Sequence, residues 1–472
     1  MGYIAGKDRK QAIMFPDYLD DYVGEDNPVR FLDAFVEAQD VAALGFKHAE
    51  PNDIGRPGYN PAALLRLYLY GYLNNIRSSR KLERETHRNV ELMWLIEMLT
   101  PDFKTIADFR KDNLEPIKKA CRQFFRLCKQ MGLFSGELVA VDGSKFRADN
   151  SRERNFTKKK LDKLIRLADQ RIDEYLSQLD AADQEETETN SPTAEELKGK
   201  IEKVIKNKER HKARQKQLEQ SGETQISETD GEARLMKTRE GSAVCYNVQM
   251  AVDSLHKLIV TTDVTNAMND SQQLASIAGQ AKEELGVEKL EAVADLGYYD
   301  CGEVNECEQQ GITVYMDKPP TKSNNGLFTK DEFTYNPEKD MYLCPAGEEL
   351  GYRREAIEEG RQIRYYETRV CGSCQIRSKC TKSKQRRIKR LAGEEAVERM
   401  AARVRDGPEK LRLRKQLAEH PFGTIKRSMG QGYFLMRGKA KVGTEMTLTV
   451  MAYNLKRAIN IMGVKKMLEA LG

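Results

Sequence analysis

Apolar residues fall at helical spacing through the first 135 positions and then change to short continuous runs. In the first part, Asn60-Pro61 precedes Ala62, Leu64, Leu65 and Leu67. An Asn cap and a proline at the first helical position therefore open a helix. Further helices are expected from Ser79 to Glu85 and from Thr105 to near Met131. After position 136, the runs Leu138–Val141, Val244–Val252, Leu258–Val264, Ala292–Ala294 and Ile312–Met316 read as strands. The short polar link Asp253–Lys257 makes the second and third a hairpin, and helices fit Asp270–Leu285 and residues 301–310.

Two helical stretches interrupt this strand pattern, at about 157–182 and 194–219. In the first, Leu161, Leu164, Ala168, Ile172, Tyr175 and Leu179 follow at spacings of three or four and form a narrow apolar seam. Leu197, Ile201, Val204, Ile205 and Leu218 form a weaker one, and the polar stretch Asp183–Pro192 separates the two, which predicts an antiparallel helical hairpin. Pro319-Pro320 opens a second interruption, loop-rich and holding four cysteines, and a basic helical region returns near 393. The expected architecture is α/β. An all-α domain spans 1–135, and an RNase H-like mixed sheet is assembled from 136–155, 228–318 and 393–472. A helical hairpin insertion occupies 156–227, and a four-cysteine insertion with a basic tail occupies 319–392.

Composition narrows the class without deciding it. A chain of 472 residues can bury more than one core, and a net charge of +5 is too mild to imply a nucleic-acid partner by itself. Arg66 and Lys456-Arg457 break the most apolar stretches, so no membrane span is expected. The opening residues lack a secretion signal's apolar run, and a cytoplasmic location is expected.

Three acids stand out. Asp142 follows Leu138–Val141 and precedes Gly143-Ser144; Asp295 follows Ala292–Ala294 and precedes Leu296-Gly297-Tyr298. Each is expected to close a strand, with a glycine beside it that lets a phosphate or metal approach the backbone. Glu419 stands in Leu417-Ala418-Glu419-His420-Pro421-Phe422-Gly423-Thr424-Ile425-Lys426, on a helix expected to start near Glu419 because of Pro421. On such a helix Lys426 would share a face with Glu419, close to two turns away. Converging carboxylates are hard oxygen ligands suited to Mg²⁺ or Mn²⁺. Taken singly, an Asp before Gly reads as a turn residue and Glu419 as an acid at a helix start.

Cys371 and Cys374 form a C-x2-C knuckle, which Cys344 and Cys380 would complete as a structural Zn²⁺ site. Reduced free cysteines in a loop are the alternative. The basic run that follows includes Arg386, Arg387, Lys389 and Arg390 and continues to Arg414 and Lys415 before Glu419. It is the strongest stretch for contacts to a DNA backbone. Arg77, Arg80 and Lys81 between the early helices are further candidates, an ordinary solvated face being the competing reading.

The ordered set resembles a bacterial insertion-sequence transposase of the DDE type. Arg56-Pro57-Gly58-Tyr59 and Ile106–Arg110 resemble its helical N-terminal domain. Val141–Ser144, Ala294–Tyr298 and Glu419–Lys426 resemble its two Asp motifs and its E-x6-K element. Related branches place a Tyr and an Arg before that element; here Arg412 and Lys415 stand there. The resemblance implies two divalent ions held by Asp142, Asp295 and Glu419, with Lys426 on a flanking phosphate. It implies cleavage at the element's ends, attack of the freed 3′-OH on target DNA, and a homodimer acting on double-stranded DNA at the nucleoid. A metal-dependent nuclease without strand transfer, and a non-catalytic DNA-binding descendant, remain alternatives.

Overall fold

The computed structural model describes residues 18–50, 58–184, 194–320, 326–358 and 360–472. The expectations on Arg56-Pro57, on the first residues, and on most of the Asp183–Pro192 link lie outside these. The described residues form two compact units, one of 18–134, 423–431 and 443–472, the other of 135–422 and 432–442.

The first unit opens with α1 (Pro28–Glu37), α2 (Pro61–Leu73), α3 (Ser79–Thr86), α4 (Val90–Leu95), α5 (Phe103–Asp112) and α6 (Leu114–Gln130). The Asn60 side chain accepts from Ala62 N and Pro61 occupies the first turn of α2, as the sequence predicts. Leu64, Leu65 and Leu67 through Tyr72 are buried around most of its circumference, which makes α2 the central helix. The single helix expected from Thr105 to Met131 is two, separated at Asn113, whose side chain accepts from Lys47 N at 2.7 Å. Trp94 is half-buried: its Nε1 donates to Asp20 at 2.8 Å and Arg30 lies 5.1 Å from its ring centre.

The second unit begins with β1 (Leu138–Arg147), then β2 (Asn155–Thr157), α7 (Lys158–Gln184), α8 (Ala194–Ser221), β3 (Gln225–Ser227), β4 (Arg234–Thr238), β5 (Gly241–Asp253), β6 (Ile259–Thr265), α9 (Leu274–Leu285), β7 (Leu290–Val293), α10 (Cys301–Gln309) and β8 (Ile312–Tyr315). The expected hairpin insertion is α7 and α8, closed at its base by the β2–β3 pair. The central sheet runs β4-β5-β1-β7-β8, with β6 on β5. β1 pairs antiparallel with β5 and parallel with β7, and β7 pairs parallel with β8. This is a mixed sheet whose middle strands β1 and β7 are buried.

The cysteine insertion is richer in strands than expected. β9 (Thr334–Asn336), β10 (Met341–Leu343), β11 (Glu349–Glu358), β12 (Arg361–Glu367) and β13 (Arg387–Leu391) form one antiparallel sheet. Its core is Phe333, Tyr342, Leu350, Tyr366 and Ile388. Next come α11 (Arg377–Cys380), α12 (Glu394–Asp406) and α13 (Glu409–Gly423). Leu417 and Ala418 of α13 pack on Leu138, Ala140, Val293 and Tyr315 of the central sheet. The C-terminal α14 (Lys439–Met462) and α15 (Val464–Glu469) fall largely in the first unit, whereas the sequence reading assigned 393–472 to the sheet domain. Buried Glu445 on α14 shows why: it pairs with Arg77 at 3.2 Å. No helix among the described residues is long and apolar enough to cross a membrane.

Candidate active site

Asp142 and Asp295 come together through sheet register. The last β1–β7 pair is Ala140 opposite Val293; two residues on stand Asp142, still within β1, and Asp295, just past the end of β7. Parallel neighbours point the same way at equal register, so both carboxylates leave one face of the sheet. The structure corrects one expectation: Asp142 does not close its strand. β1 continues to Arg147, paired with β5 all the way, with Asp142 opposite Met250. Asp295 does follow the end of β7, and its Oδ1 accepts from Gly297 N at 2.8 Å to cap a short turn.

The glycines beside the aspartates do not open onto free space. A Cβ on Gly143 would stand 2.6 Å from Gln249 Nε2, 2.7 Å from Asp270 Oδ1 and 3.1 Å from the Tyr298 hydroxyl. Asp270 is a third carboxylate at this locus. Its Oδ1 accepts from Asn247 Nδ2 at 2.6 Å and Gln249 Nε2 at 2.7 Å, and it pairs with Lys145 at 3.5 Å. The Tyr298 hydroxyl donates to Gln249 Oε1. The sequence reading missed Asp270, a lone acid in the polar stretch Asn269–Gln273, and no motif signals it.

The electrostatics follow from this crowding. Burial first, then the adjacent Asp295 carboxylate and more weakly Asp270, push the Asp142 carboxyl up to about 6, against the pull of the Gly143 N–H and Arg414. Tyr298 is raised well above its ordinary value by burial and by the same three acids, and stays a neutral donor. Burial lowers Lys145 although Asp270 opposes it.

α13 brings a cation to the pair. Arg414 Nη1 lies 3.9 Å from Asp295 Oδ2. Glu419 lies five residues on, about 140° further round the helix, and is exposed. The helix does not start near Glu419: it starts at Glu409 and runs through Pro421. Proline lacks the N–H for the bond one turn back, and a π-helical turn, Thr424–Ser428, follows at once and carries Lys426.

The donor chemistry fits a divalent ion. The adjacent Asp295 carboxylate adds to the cost of ionising buried Asp142, which a bound dication would offset. Among the described residues, no group of three or more His, Cys, Asp or Glu is placed to hold a metal ion. This covers the four cysteines too, although Cys344, Cys371, Cys374 and Cys380 line one cavity with Phe333, Leu350 and Arg386. Arg386 N donates to Cys371 Sγ at 3.5 Å, and burial raises the Cys380 thiol with the other three thiols adding to it. Cys121, Cys128, Cys245, Cys301 and Cys307 are buried packing residues, as expected.

The basic candidates divide. Arg77 is buried against Glu445 and does not reach the surface, which corrects its reading as a phosphate contact. Arg390 is corrected likewise: it is 2% exposed, bonded to Glu395, Glu398 and Tyr342, and lies over the Tyr335 ring. Arg386 donates to the Phe328 and Cys380 carbonyls within the cysteine module. Arg80, Lys81, Arg387, Lys389 and Lys415 are exposed, with Arg387 and Lys389 paired to Glu367 and Glu358.

Two family models match the chain: a transposase domain (DUF772) over residues 17–112 and a transposase DDE domain over residues 343–459. Both matches are to transposase domains, and together they support an insertion-sequence DDE transposase. The DDE match takes in the cysteine module, Glu419 and Lys426, while Asp142 and Asp295 precede it. No curated protein and no solved structure gives a match.

Proposed function

We propose that this transposase cuts DNA at the ends of its element and joins the freed 3′-OH to target DNA, using Asp142, Asp295 and Glu419. The observation that carries the reading is that Asp142 on β1 and Asp295, just past the end of the parallel neighbour β7, each stand two residues beyond the last β1–β7 pair. The strand order and directions of the central sheet agree with an RNase H-like core. Bound divalent ions would supply a nucleophile at neutral pH and charge stabilisation for in-line phosphoryl transfer.

The chain's own residues supply the rest. Asp142 and Asp295 direct hard oxygen ligands to one point, and α13 carries Glu419 beside Ala418, which is anchored on β1 and β7. Arg414 offsets the paired negative charge while the acids are unliganded and offers a donor to a phosphate afterwards. Lys426, with exposed Arg80, Lys81, Arg387, Lys389 and Lys415, contacts the DNA backbone. The protein acts as a homodimer, one subunit for each element end. The four thiols facing one cavity are soft donors suited to a structural Zn²⁺.

The test is a labelled duplex carrying the element's end, incubated with Mg²⁺ and target DNA. Wild type is expected to nick and join it, and Asp142→Ala, Asp295→Ala and Glu419→Ala to do neither. Cutting without joining would replace this reading by that of a nuclease. End binding without any cutting would leave a DNA-binding protein.

A further inference from the structure

Asp270 stands between the two aspartate motifs. Its Oδ1 lies against Gly143, the residue after Asp142. Its Oδ2 would be 4.0 Å from a Cβ on Gly297, whose own nearest neighbour would be Asp295 Oδ1 at 2.9 Å. One carboxylate thus touches the backbone environment of both metal-ligand candidates. A chain of contacts links it to the second of them: Asp270 to Gln249, Gln249 to the Tyr298 hydroxyl, and Tyr298 to the turn capped by Asp295.

The anchoring comes at the expense of a buried acceptor. Asn247 is fully buried and gives its amide N–H to Asp270, while its own Oδ1 has no hydrogen-bond partner. An unsatisfied buried carbonyl is destabilising. Such groups are exceptions in folded proteins and concentrate where function imposes the arrangement. Asn247 and Gln249 lie two residues apart on β5 and so project from the same face of the strand. Both direct an N–H at the same oxygen and leave Asp270 Oδ2 without a hydrogen bond from the described residues.

We propose that Asp270 is a positioning carboxylate of the divalent-ion site, held by Asn247, Gln249 and Lys145 so that its free oxygen and its charge support an ion between Asp142 and Asp295. The inference rests on the proposed function above. Asp270 acts through the two aspartates and the glycine turns beside them, in the manner of the outer groups that orient metal ligands.

The test is calorimetric titration of the metal-free full-length protein with Mn²⁺, for wild type, Asp142→Asn and Asp270→Asn. Asparagine keeps the shape and can still accept from Asn247 and Gln249. Asp270→Asn is expected to weaken Mn²⁺ binding about 10–100-fold. Its melting temperature without metal should not fall, and the Mg²⁺ concentration for half-maximal cutting should rise more than the saturated rate drops. Unchanged Mn²⁺ affinity in Asp270→Asn, or a loss matched by a lower melting temperature, overturns the inference alone. Wild-type binding that Asp142→Asn does not diminish overturns the proposed site and this inference with it.

Discussion

The carboxylate centre and the thiol centre are built by opposite means. Asp142 lies inside a ten-residue strand with a ladder on either side, and the residues before it, Val139, Ala140 and Val141, have no exposed surface. None of the four cysteines lies on a strand. Cys344 follows β10, Cys371 belongs to a single turn, Cys374 succeeds it, and Cys380 ends the four-residue α11. The β1–β5 ladder fixes Asp142, and the turn that Asp295 caps directly after β7 fixes Asp295. The cysteines are held by turns, which a shared ion would staple. On the proposed function, one ion would serve the chemistry and the other the scaffold.

The largest effect is expected at the thiol centre. Structural zinc contributes on the order of 10 kcal/mol of binding energy to folding. Cys371→Ser should lower the zinc content of the purified protein and open residues 326–391 to limited proteolysis, with the central sheet intact. A zinc-free wild type with the same protease resistance as the variant would erase the contrast between the centres.

At the carboxylate centre the order reverses. Asp295→Asn should lower cleavage by about 10³-fold or more, corresponding to several kcal/mol of lost charge stabilisation, without loss of fold. Circular dichroism and single-turnover cutting on one preparation would separate the two effects. A variant that unfolds would mean that the site is structural.

Buried Arg390 gives a third comparison, because it sits inside the cysteine module with Glu395 and Glu398. Glu395 and Glu398 are half exposed, so losing Arg390 costs mainly its buried packing and hydrogen bonds, about 1–3 kcal/mol. Arg390→Ala should destabilise the protein by that order in urea melts, while exposed Lys415→Ala should stay within about 0.5 kcal/mol and weaken DNA binding instead. Equal stability losses would put Lys415 inside the fold.

The smallest effect is pH-dependent. Folding raises the Asp142 carboxyl to about 6, so the folded protein holds this proton more tightly than the unfolded chain. Its stabilising contribution is complete below the ordinary carboxylate value near 4 and is lost as pH rises through about 6. Asp142→Asn should therefore stabilise the metal-free protein at neutral pH by about 1–3 kcal/mol, with little gain at pH 4. Added Mg²⁺ should narrow the difference by stabilising wild type.

The parts legible in the sequence were those set by local pattern: the Asn60-Pro61 helix start, the α7–α8 hairpin, and the apolar runs before Asp142 and Asp295. The continuation of β1 was not, because Asp142-Gly143-Ser144 reads as a turn and only thirteen-residue β5 keeps it extended. Arg77 and Arg390 read as surface cations because burial of a charge depends on its partner, and Glu445 lies 368 positions from Arg77. Asp270 was invisible for the same reason: its contacts reach back to Lys145, 125 positions away, and no spacing rule links them. The start of α13 was misplaced because Pro421 was read as a barrier, whereas the helix starts at Glu409 and runs through it.

The most direct measurement is anomalous diffraction from crystals of the full chain soaked in Mn²⁺. A peak held by Asp142 and Asp295, lost in Asp142→Asn, is the result predicted by the register of β1 and β7. Manganese bound elsewhere, or a peak that survives Asp142→Asn, would contradict the assignment of these two aspartates as the catalytic ion site.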